Sequence, residues 1–415
     1  MKNIWIVNYY SAPPNVAGNP RHREFAHRLI VLGYNVRIIG SGFLAGRKEN
    51  LVPSGELYVD KLYEGIQYTF VKARPHNGSS VKRGLSILTF ALNLRKCCRK
   101  FEIPDIIIHN IHAPFDYPVS WVAKKLKARY FVEVWDLWPE AFVRFHVLPA
   151  YHPIVGVSYY FEKKLYEKAD EIIFSLEGGI DYLRSRGYLK EQGGKINPAK
   201  VHYINNGINL NKFEENRLLH PTSDEDLNNP NTIKVVYVGS IKLVNDVHQL
   251  IEAEKILRDV THIVFIIIGD GKDRPSLEKF CMDNHLTNVH FKQKRVPFEE
   301  VADIVSHADI NIMNYQKSFG KWGASSGKMF MYYAAGKPIC CNVDSPYIEI
   351  NSHHLGIAQC FNSAQEYADA ILSLANLTRE ERQHIAESSK EVAAKYDFDY
   401  LTKKLLDIIE NKCPE

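Results

Sequence analysis

Gly-Lys-Trp-Gly-Ala-Ser-Ser-Gly-Lys-Met-Phe-Met-Tyr-Tyr-Ala-Ala-Gly-Lys-Pro, residues 320–338, reads as a loop of small residues running into a short helix. Gly323, Ala324, Ser325, Ser326 and Gly327 form the loop. Gly336 falls just past the last helical turn and Pro338 beyond it, the usual way a helix stops. Unpaired N–H groups and the positive end of the dipole make such a helix start a seat for anions. The small loop side chains let a ligand approach the backbone. Lys328 stands in the first turn, where the dipole repels it; an anion held between the two turns that repulsion into a contact. Packing alone offers a second account, a Ser-capped core helix laid on a sheet by Met329, Phe330 and Tyr333.

On both sides of this stretch, short β-branched runs alternate with helical ones. Ile4 to Asn8, Val36 to Ile39, Ile106 to His109, Tyr130 to Val134, Glu171 to Phe174 and Val201 to Ile204 read as strands before residue 205. Ile233 to Val238, Ile263 to Ile268, Val289 to Phe291, Ile310 to Met313 and Pro338 to Cys341 follow after 232. Apolar runs separated by helices predict parallel sheets covered on both faces. The Asn-, Pro- and Asp-rich stretch 205–232 interrupts the pattern and reads as a linker. The expected fold is thus α/β, with two doubly wound domains, 1–210 and 233–396, joined across 211–232. Helices are expected over Arg379 to Lys395 and over 397–415. At 415 residues, two domains are also the default on size.

Apolar residues at 45% and charged residues at 24% describe an ordinary soluble composition. The net charge of +4 hides an asymmetry: residues 1–210 hold 29 Lys and Arg against 18 Asp and Glu, the remainder 23 against 30. The N-terminal half is therefore expected to face something anionic, such as a membrane surface or a polyphosphate, but not nucleic acid. Seven cysteines without C-x-x-C spacing suit a reducing cytosol. No signal-peptide pattern opens the chain, and no apolar run approaches the ~18 residues that span a bilayer. Residues 82–100, basic at both ends and apolar between, lie on an anionic bilayer or form a half-buried domain helix, and both readings hold together where one face stays free.

Candidate site residues gather at strand ends. After the first strand, the turn 9–19 places Gly18 to meet ligand phosphates and Arg21 to meet an anionic acceptor. The Tyr130–Val134 strand runs into Trp135, Asp136, Trp138 and Glu140, whose carboxylates suit sugar hydroxyls and whose indoles suit sugar faces. His109 and His112 occupy an equivalent strand end. In the second half, Gly239, Ser240, Lys242 and Asn245 follow one strand, and Gly269, Asp270 and Gly271 make a tight turn after the next. Lys294 and Arg295 follow a third. With Lys328, Ser325, Ser326 and Gly327 these supply cations and N–H groups along one edge, a set that suits a diphosphate. Asp397-Phe398-Asp399 matches a metal-binding D-x-D but starts a helix, where Asp is a good cap. No metal is expected there.

The chain resembles glycosyltransferase family 4, the retaining GT-B enzymes that use nucleotide-activated sugars, and most of all their bacterial cell-surface polysaccharide branch. Four segments carry the resemblance: Glu-Val-Trp-Asp-Leu-Trp-Pro-Glu (133–140), Tyr-Ile-Asn-Asn-Gly-Ile-Asn-Leu-Asn-Lys-Phe (203–213), Ile-Gly-Asp-Gly (268–271) and residues 325–338. The resemblance implies a nucleoside diphosphate sugar in the second domain, Lys328, Lys242 and Asp136 as catalytic candidates, and a glycan or lipid-linked acceptor in the first. It implies an interdomain cleft, a final helix (397–415) packed back on the first domain, and sugar transfer with retention. It also implies no cofactor beyond the sugar nucleotide, and work in the cytoplasm at the inner face of the cell membrane. Four family positions differ. The ribose-gripping Glu is Met331 and its partner falls near Gly323. The diphosphate clamp aligns near Ser240 and Asn245, with Lys242 and Lys328 as substitutes, and the sugar-contacting His aligns with Trp135. A non-catalytic glycan- or partner-binding protein, or a sugar-nucleotide epimerase on the same fold, are the alternatives.

Overall fold

The computed structural model describes residues 2–16, 19–77, 80–144, 148–316 and 320–411. They divide into two units, Met1–Asn205 with Leu401–Glu415, and Asn206–Tyr400. In the first, β1 (Asn3–Val7), β2 (Asn35–Ser41), β3 (Tyr58–Tyr63), β4 (Ile66–Val71), β5 (Ile106–Asn110), β6 (Arg129–Val134), β7 (Glu171–Phe174) and β8 (Val201–Tyr203) form one sheet. Its order is β8-β7-β6-β5-β1-β2-β4-β3, and every pairing is parallel except β3 with β4. Ile4, Ile6, Ile38, Ile107 and Phe131 are sealed from solvent, which is why these strands read as unbroken apolar runs. The chain leaves β1 in one direction and later returns to β1's other side at β5. That reversal opens a crevice beyond the carboxyl ends of β1 and β5.

The second unit repeats the plan with β9 (Ile233–Val238), β10 (Ile263–Ile268), β11 (Val289–Phe291), β12 (Ile310–Met313), β13 (Ile339–Cys341) and β14 (Gly356–Ala358). Their order is β11-β10-β9-β12-β13-β14, all parallel, with the reversal between β9 and β12. One core layer lies under the helices Val247–Leu257 and Ala364–Ala375; another holds Met329, Phe330, Tyr332 and Tyr333 of the helix Gly327–Ala335.

Several expectations change in the folded chain. The stretch 211–232 is not a free linker. The second unit starts at Asn206, and Leu210–Leu219 is a helix whose N-cap Asn209 accepts from the Lys212 N–H at 3.0 Å. Its Phe213 is buried in that unit's core, and Lys292 and His290 pin Asp226 at 2.5 and 2.6 Å. Asn-rich composition reads as loop, yet one Asn at the cap and one Phe on the inner face suffice for a helix. The β3–β4 hairpin escapes the sequence because its two-residue turn is Glu64-Gly65. Both have positive φ (50° and 76°), the conformation that Asn-Gly would advertise.

Residues 82–97 belong to the helix Ser80–Cys97, whose Ile87, Phe90, Ala91 and Leu94 are buried, so the packing account holds for its apolar middle. Asp397 is a cap, accepting from the N–H groups of Asp399 (2.7 Å) and Leu210 (3.0 Å). The helix it starts, Phe398–Glu410, is held in the first unit by Arg129 Nη1 donating to the Ile409 carbonyl at 2.8 Å. The six described cysteines are free. Among the described residues no helix is long and apolar enough to cross a membrane.

One core feature has a measurable cost. Glu254, on the inner face of Val247–Leu257, is fully buried, with no hydrogen-bond partner for either carboxylate oxygen. Burial pushes its pKa up to about 7. Since the folded protein holds this proton more tightly than the unfolded chain, stability is greatest near and below the usual carboxylate range. It falls as pH rises from there through about 7 and levels off above. Glu254→Leu is expected to raise stability at pH 8 by about 1–3 kcal/mol and to flatten that slope, read by urea melts across pH.

Candidate functional site

In the second unit the helix Gly327–Ala335 lies as the small-residue loop predicts. Ser326 at its N-cap is extended and makes no side-chain cap, so it leaves the helix's first N–H groups to a ligand; Gly336 closes the other end at φ 65°. Tyr332, one turn along, accepts from the Val238 N–H at 3.4 Å and so ties the helix to the end of β9. Lys328 Nζ then sits 4.8 Å from the ring centre of Tyr237 and 4.7 Å from that of Tyr315. Tyr237 belongs to β9 and Tyr315 follows β12, so the ammonium stands over the reversal point of the sheet, where ligands of such folds bind. Among the described residues it makes no hydrogen bond or ion pair. Burial lowers its pKa to about 8. A half-buried cation with only ring faces for company is a counter-charge in waiting.

The two glycine turns meet beside it. Gly239 donates to the Ile268 carbonyl at 3.0 Å, and Ile241 to that of Asp270 at 2.9 Å. A Cβ on Gly269 would fall 1.8 Å from the Gly239 oxygen, and one on Gly271 1.9 Å from that of Ile241. Only glycine permits this approach, and at Gly269 φ is +147° as well. A Cβ on Gly239 would lie 3.8 Å from Lys328 Nζ, so this turn and the helix start face the same space. Asn245 is buried and spent on the turn, donating to the Ser240 carbonyl (2.7 Å) and hydroxyl (2.8 Å). Asp270 Oδ1 accepts from the Gly271 N–H at 2.9 Å. Lys242, Lys294 and Arg295 are exposed and, among the described residues, form no ion pair; no contact draws them to Lys328. Gly18 lies outside the described residues. Met331, in the family's Glu position, is partly buried against the core.

In the first unit the segment 133–140 is built on a buried network. Glu133 takes Arg21 Nε at 2.7 Å and His22 Nε2 at 2.6 Å, while Arg21 Nη1 also donates to the Asn205 carbonyl. His22 Nδ1 accepts from Asn8 Nδ2 at 3.4 Å. Burial raises the Glu133 carboxyl, but Arg21 and His22 outweigh it and bring it down to about 2. Arg21 is 1% exposed, which corrects its reading as an acceptor contact: it braces the strand ends from beneath. His109 is likewise buried, with Nδ1 on the Tyr130 hydroxyl (2.7 Å) and Nε2 3.3 Å from Asp116. Burial of Asp116 is more than offset by His109 and His112, which hold its carboxyl well below the usual range.

At this end lies an aromatic set in which Tyr10 is exposed, Trp135 and Trp138 are half-buried, and His112, expected as an acceptor contact, is 5% exposed with Nδ1 3.4 Å from Asp116. His112 meets Tyr10 at 4.9 Å and Trp138 at 5.5 Å between ring centres, and Trp135 tilts over His22 at 4.7 Å. Tyr10 follows β1 and His112 follows β5, so this set marks the first sheet's own reversal point. Asp136 reaches solvent beside them, and the protein bulk around it raises its carboxyl pKa against the pull of His112. Glu140 is engaged, accepting from Tyr159 at 2.8 Å. Two participants were not legible in the sequence. Arg83 lies over Trp138 at 5.3 Å, and Arg274 clamps the glycine turns through the carbonyls of Gly269 and Lys292. Arg83 reaches Trp138 from a helix 55 residues earlier, while Arg274 opens the helix just after the glycine turn. Among the described residues no cluster of His, Cys, Asp or Glu could hold a metal ion.

Residues 221–392 match the family model of glycosyl transferases group 1. No curated protein matches the chain. Among solved structures the chain is similar to a glycosyltransferase from Rickettsia africae ESF-5, at 14% identity over 99% of this chain and 98% of that one, with a TM-score of 0.65. It is similar to WaaG, a glycosyltransferase involved in lipopolysaccharide biosynthesis, at 14% over 98% and 99%, with a TM-score of 0.66. Anabaena Alr3699/HepE, solved in complex with UDP and glucose, matches at 13% over 99% and 100%, also at 0.66. The chain therefore has the GT-B fold, and its residues 221–392 form a glycosyltransferase group 1 domain.

Proposed function

We propose that the protein is a retaining glycosyltransferase that moves a sugar from a nucleoside diphosphate sugar to a glycan or lipid-linked acceptor in cell-surface polysaccharide synthesis. The observation that carries this is the ammonium of Lys328, without an acidic partner among the described residues, at the start of a helix over the second sheet's reversal point. Anabaena Alr3699/HepE with UDP and glucose and the E. coli trehalose-6-phosphate protein with UDP-2-fluoro glucose support a sugar nucleotide as donor. On this reading the helix N–H groups and Lys328 stabilise the departing diphosphate, which is where charge develops. The leaving phosphate takes the acceptor's proton, so no separate base and no metal are required. Trp135, Trp138 and Asp136 of the first unit receive the acceptor, with sugar faces on the indoles and hydroxyls on the carboxylate. Lys242, Lys294 and Arg295 line the approach of the phosphates. The enzyme works from the cytoplasmic side of the membrane.

A panel of UDP-, GDP- and other nucleotide sugars tests the donor half. A true donor at 100 times its Kd is expected to stabilise the protein by about 2.7 kcal/mol in a thermal melt, and to release nucleoside diphosphate when acceptor is present. Met331, packed on the core where the family has its ribose-gripping Glu, favours one other reading, a protein that binds glycan without transfer. Stabilisation by no nucleotide at all would decide for that reading. A changed sugar without acceptor would indicate epimerisation instead.

A further inference from the structure

In the first unit the crossovers β4 to β5, β5 to β6 and β6 to β7 all step the same way along the sheet. Right-handed crossovers then lay their helices on one face. The helices are Ser80–Cys97, Pro118–Leu126 and Pro153–Lys168. The first two pack together, and Tyr117 meets Phe161 at 5.0 Å to join the third. Their inner sides (Phe90, Val119, Val122, Leu165) are buried. Their outer sides keep large apolar groups in solvent: Ile154 is 53% exposed, Val157 50%, Tyr160 57% and Trp121 37%. Ile154, Val157 and Tyr160 recur at three-residue spacing, one stripe of one helix.

Charge on these helices is one-sided. They hold nine Lys and Arg against two Glu, and none of the nine cations is buried. Glu162 is sealed in the core, bonded by Tyr166 and Tyr182, and Glu167 is paired with Lys164 at 2.7 Å. The cations surround the rings: Arg95 over Trp121 at 5.2 Å, Lys168 over Tyr117 at 4.9 Å, Lys164 over Tyr160 at 5.7 Å.

We infer that this three-helix face rests on an anionic lipid bilayer, with the Ile154–Val157–Tyr160 stripe and Trp121 in the headgroup layer and the lysines and arginines on lipid phosphates. Aromatic and aliphatic groups rimmed by cations are what an interfacial surface requires. A second copy of the same face does not fit, because a two-fold contact would set nine cations against nine. Nucleic acid would use the charge but leave Ile154 and Val157 without a role. The face also explains why a net surplus of positive charge gathers in the N-terminal half. Arg83, near the start of the Ser80–Cys97 helix, touches Trp138 of the proposed acceptor site, so a bilayer here would present lipid-borne acceptors close to it. The inference thus complements the transfer reading, but its test needs no sugar nucleotide.

Co-sedimentation of the full chain with phosphatidylcholine vesicles, with and without phosphatidylglycerol, decides it. Binding is expected to the anionic vesicles alone. It should fall by about 100-fold in Lys163→Gln/Lys164→Gln/Lys168→Gln and by about tenfold in Ile154→Asp/Tyr160→Asp. All five side chains reach solvent, so both variants are expected to melt as the wild type does. No binding, equal binding to neutral vesicles, or full binding by the lysine variant would overturn the inference. So would a DNA duplex bound equally by wild type and Ile154→Asp/Tyr160→Asp when vesicle binding is also unchanged, since the face would then be a plain polyanion site.

Discussion

Lys328→Ala is expected to lower turnover with the donor by about 100-fold or more, the scale on which one charge partner of a transition state is lost. The expectation follows from what Lys328 lacks. A surface lysine is normally solvated or paired; this one is half-buried between the rings of Tyr237 and Tyr315, and burial lowers its pKa to about 8. A diphosphate beside it would stabilise the charged form and raise that pKa again, so donor binding should take up a proton near and above pH 8. Affinity for the nucleoside diphosphate is therefore expected to weaken as pH climbs through 8, and to lose that dependence in Lys328→Ala. Stability should move the other way. Removing a poorly solvated cation leaves the melting temperature unchanged or higher, which separates a lost contact from a damaged fold. Unaltered turnover in this variant would remove Lys328 from the chemistry.

Glu133→Gln is expected to cost about 3–5 kcal/mol of stability, read as a fall of roughly 10 °C in Tm, because it strands the buried Arg21 without its counter-charge. Glu133 and Arg21 are 2% and 1% exposed, and the Arg21–Asn205 contact ties the pair to the end of the first unit's main segment. Glu133→Leu combined with Arg21→Met should recover most of the loss, since burying two apolar groups avoids the desolvation of two charges. The acid side of the stability curve offers an independent check. Because the folded pKa of Glu133 is depressed to about 2, its contribution is complete above the ordinary carboxylate range and disappears as pH falls from there to about 2. A Glu133→Gln protein with wild-type Tm would show that the pair carries no net energy.

The two units, their parallel sheets and most strand positions were legible because an interior strand must be apolar throughout, whatever its neighbours. The glycine turns were legible for a related reason: a turn closed to any Cβ, as at Gly269 and Gly271, or held at positive φ, as at Gly239, has to be written with glycine. Sequence therefore determined the architecture, the loop-to-helix entry at 326–327 and the cation at 328. It could not say which polar residues face a ligand. Arg21 and His109 carry the right chemistry at the right strand ends, yet both are sealed by partners, Glu133 and Asp116, that lie 112 and seven residues away. Arg83 reaches its strand end from a helix with no motif, and Arg274, five residues past Gly269, has nothing in its own type to say that it folds back on the turn. Burial, pairing and which helices share a face depend on contacts between residues distant in the chain. Only the tertiary structure settles those, and with them which charges are spent on the fold and which are left for a ligand.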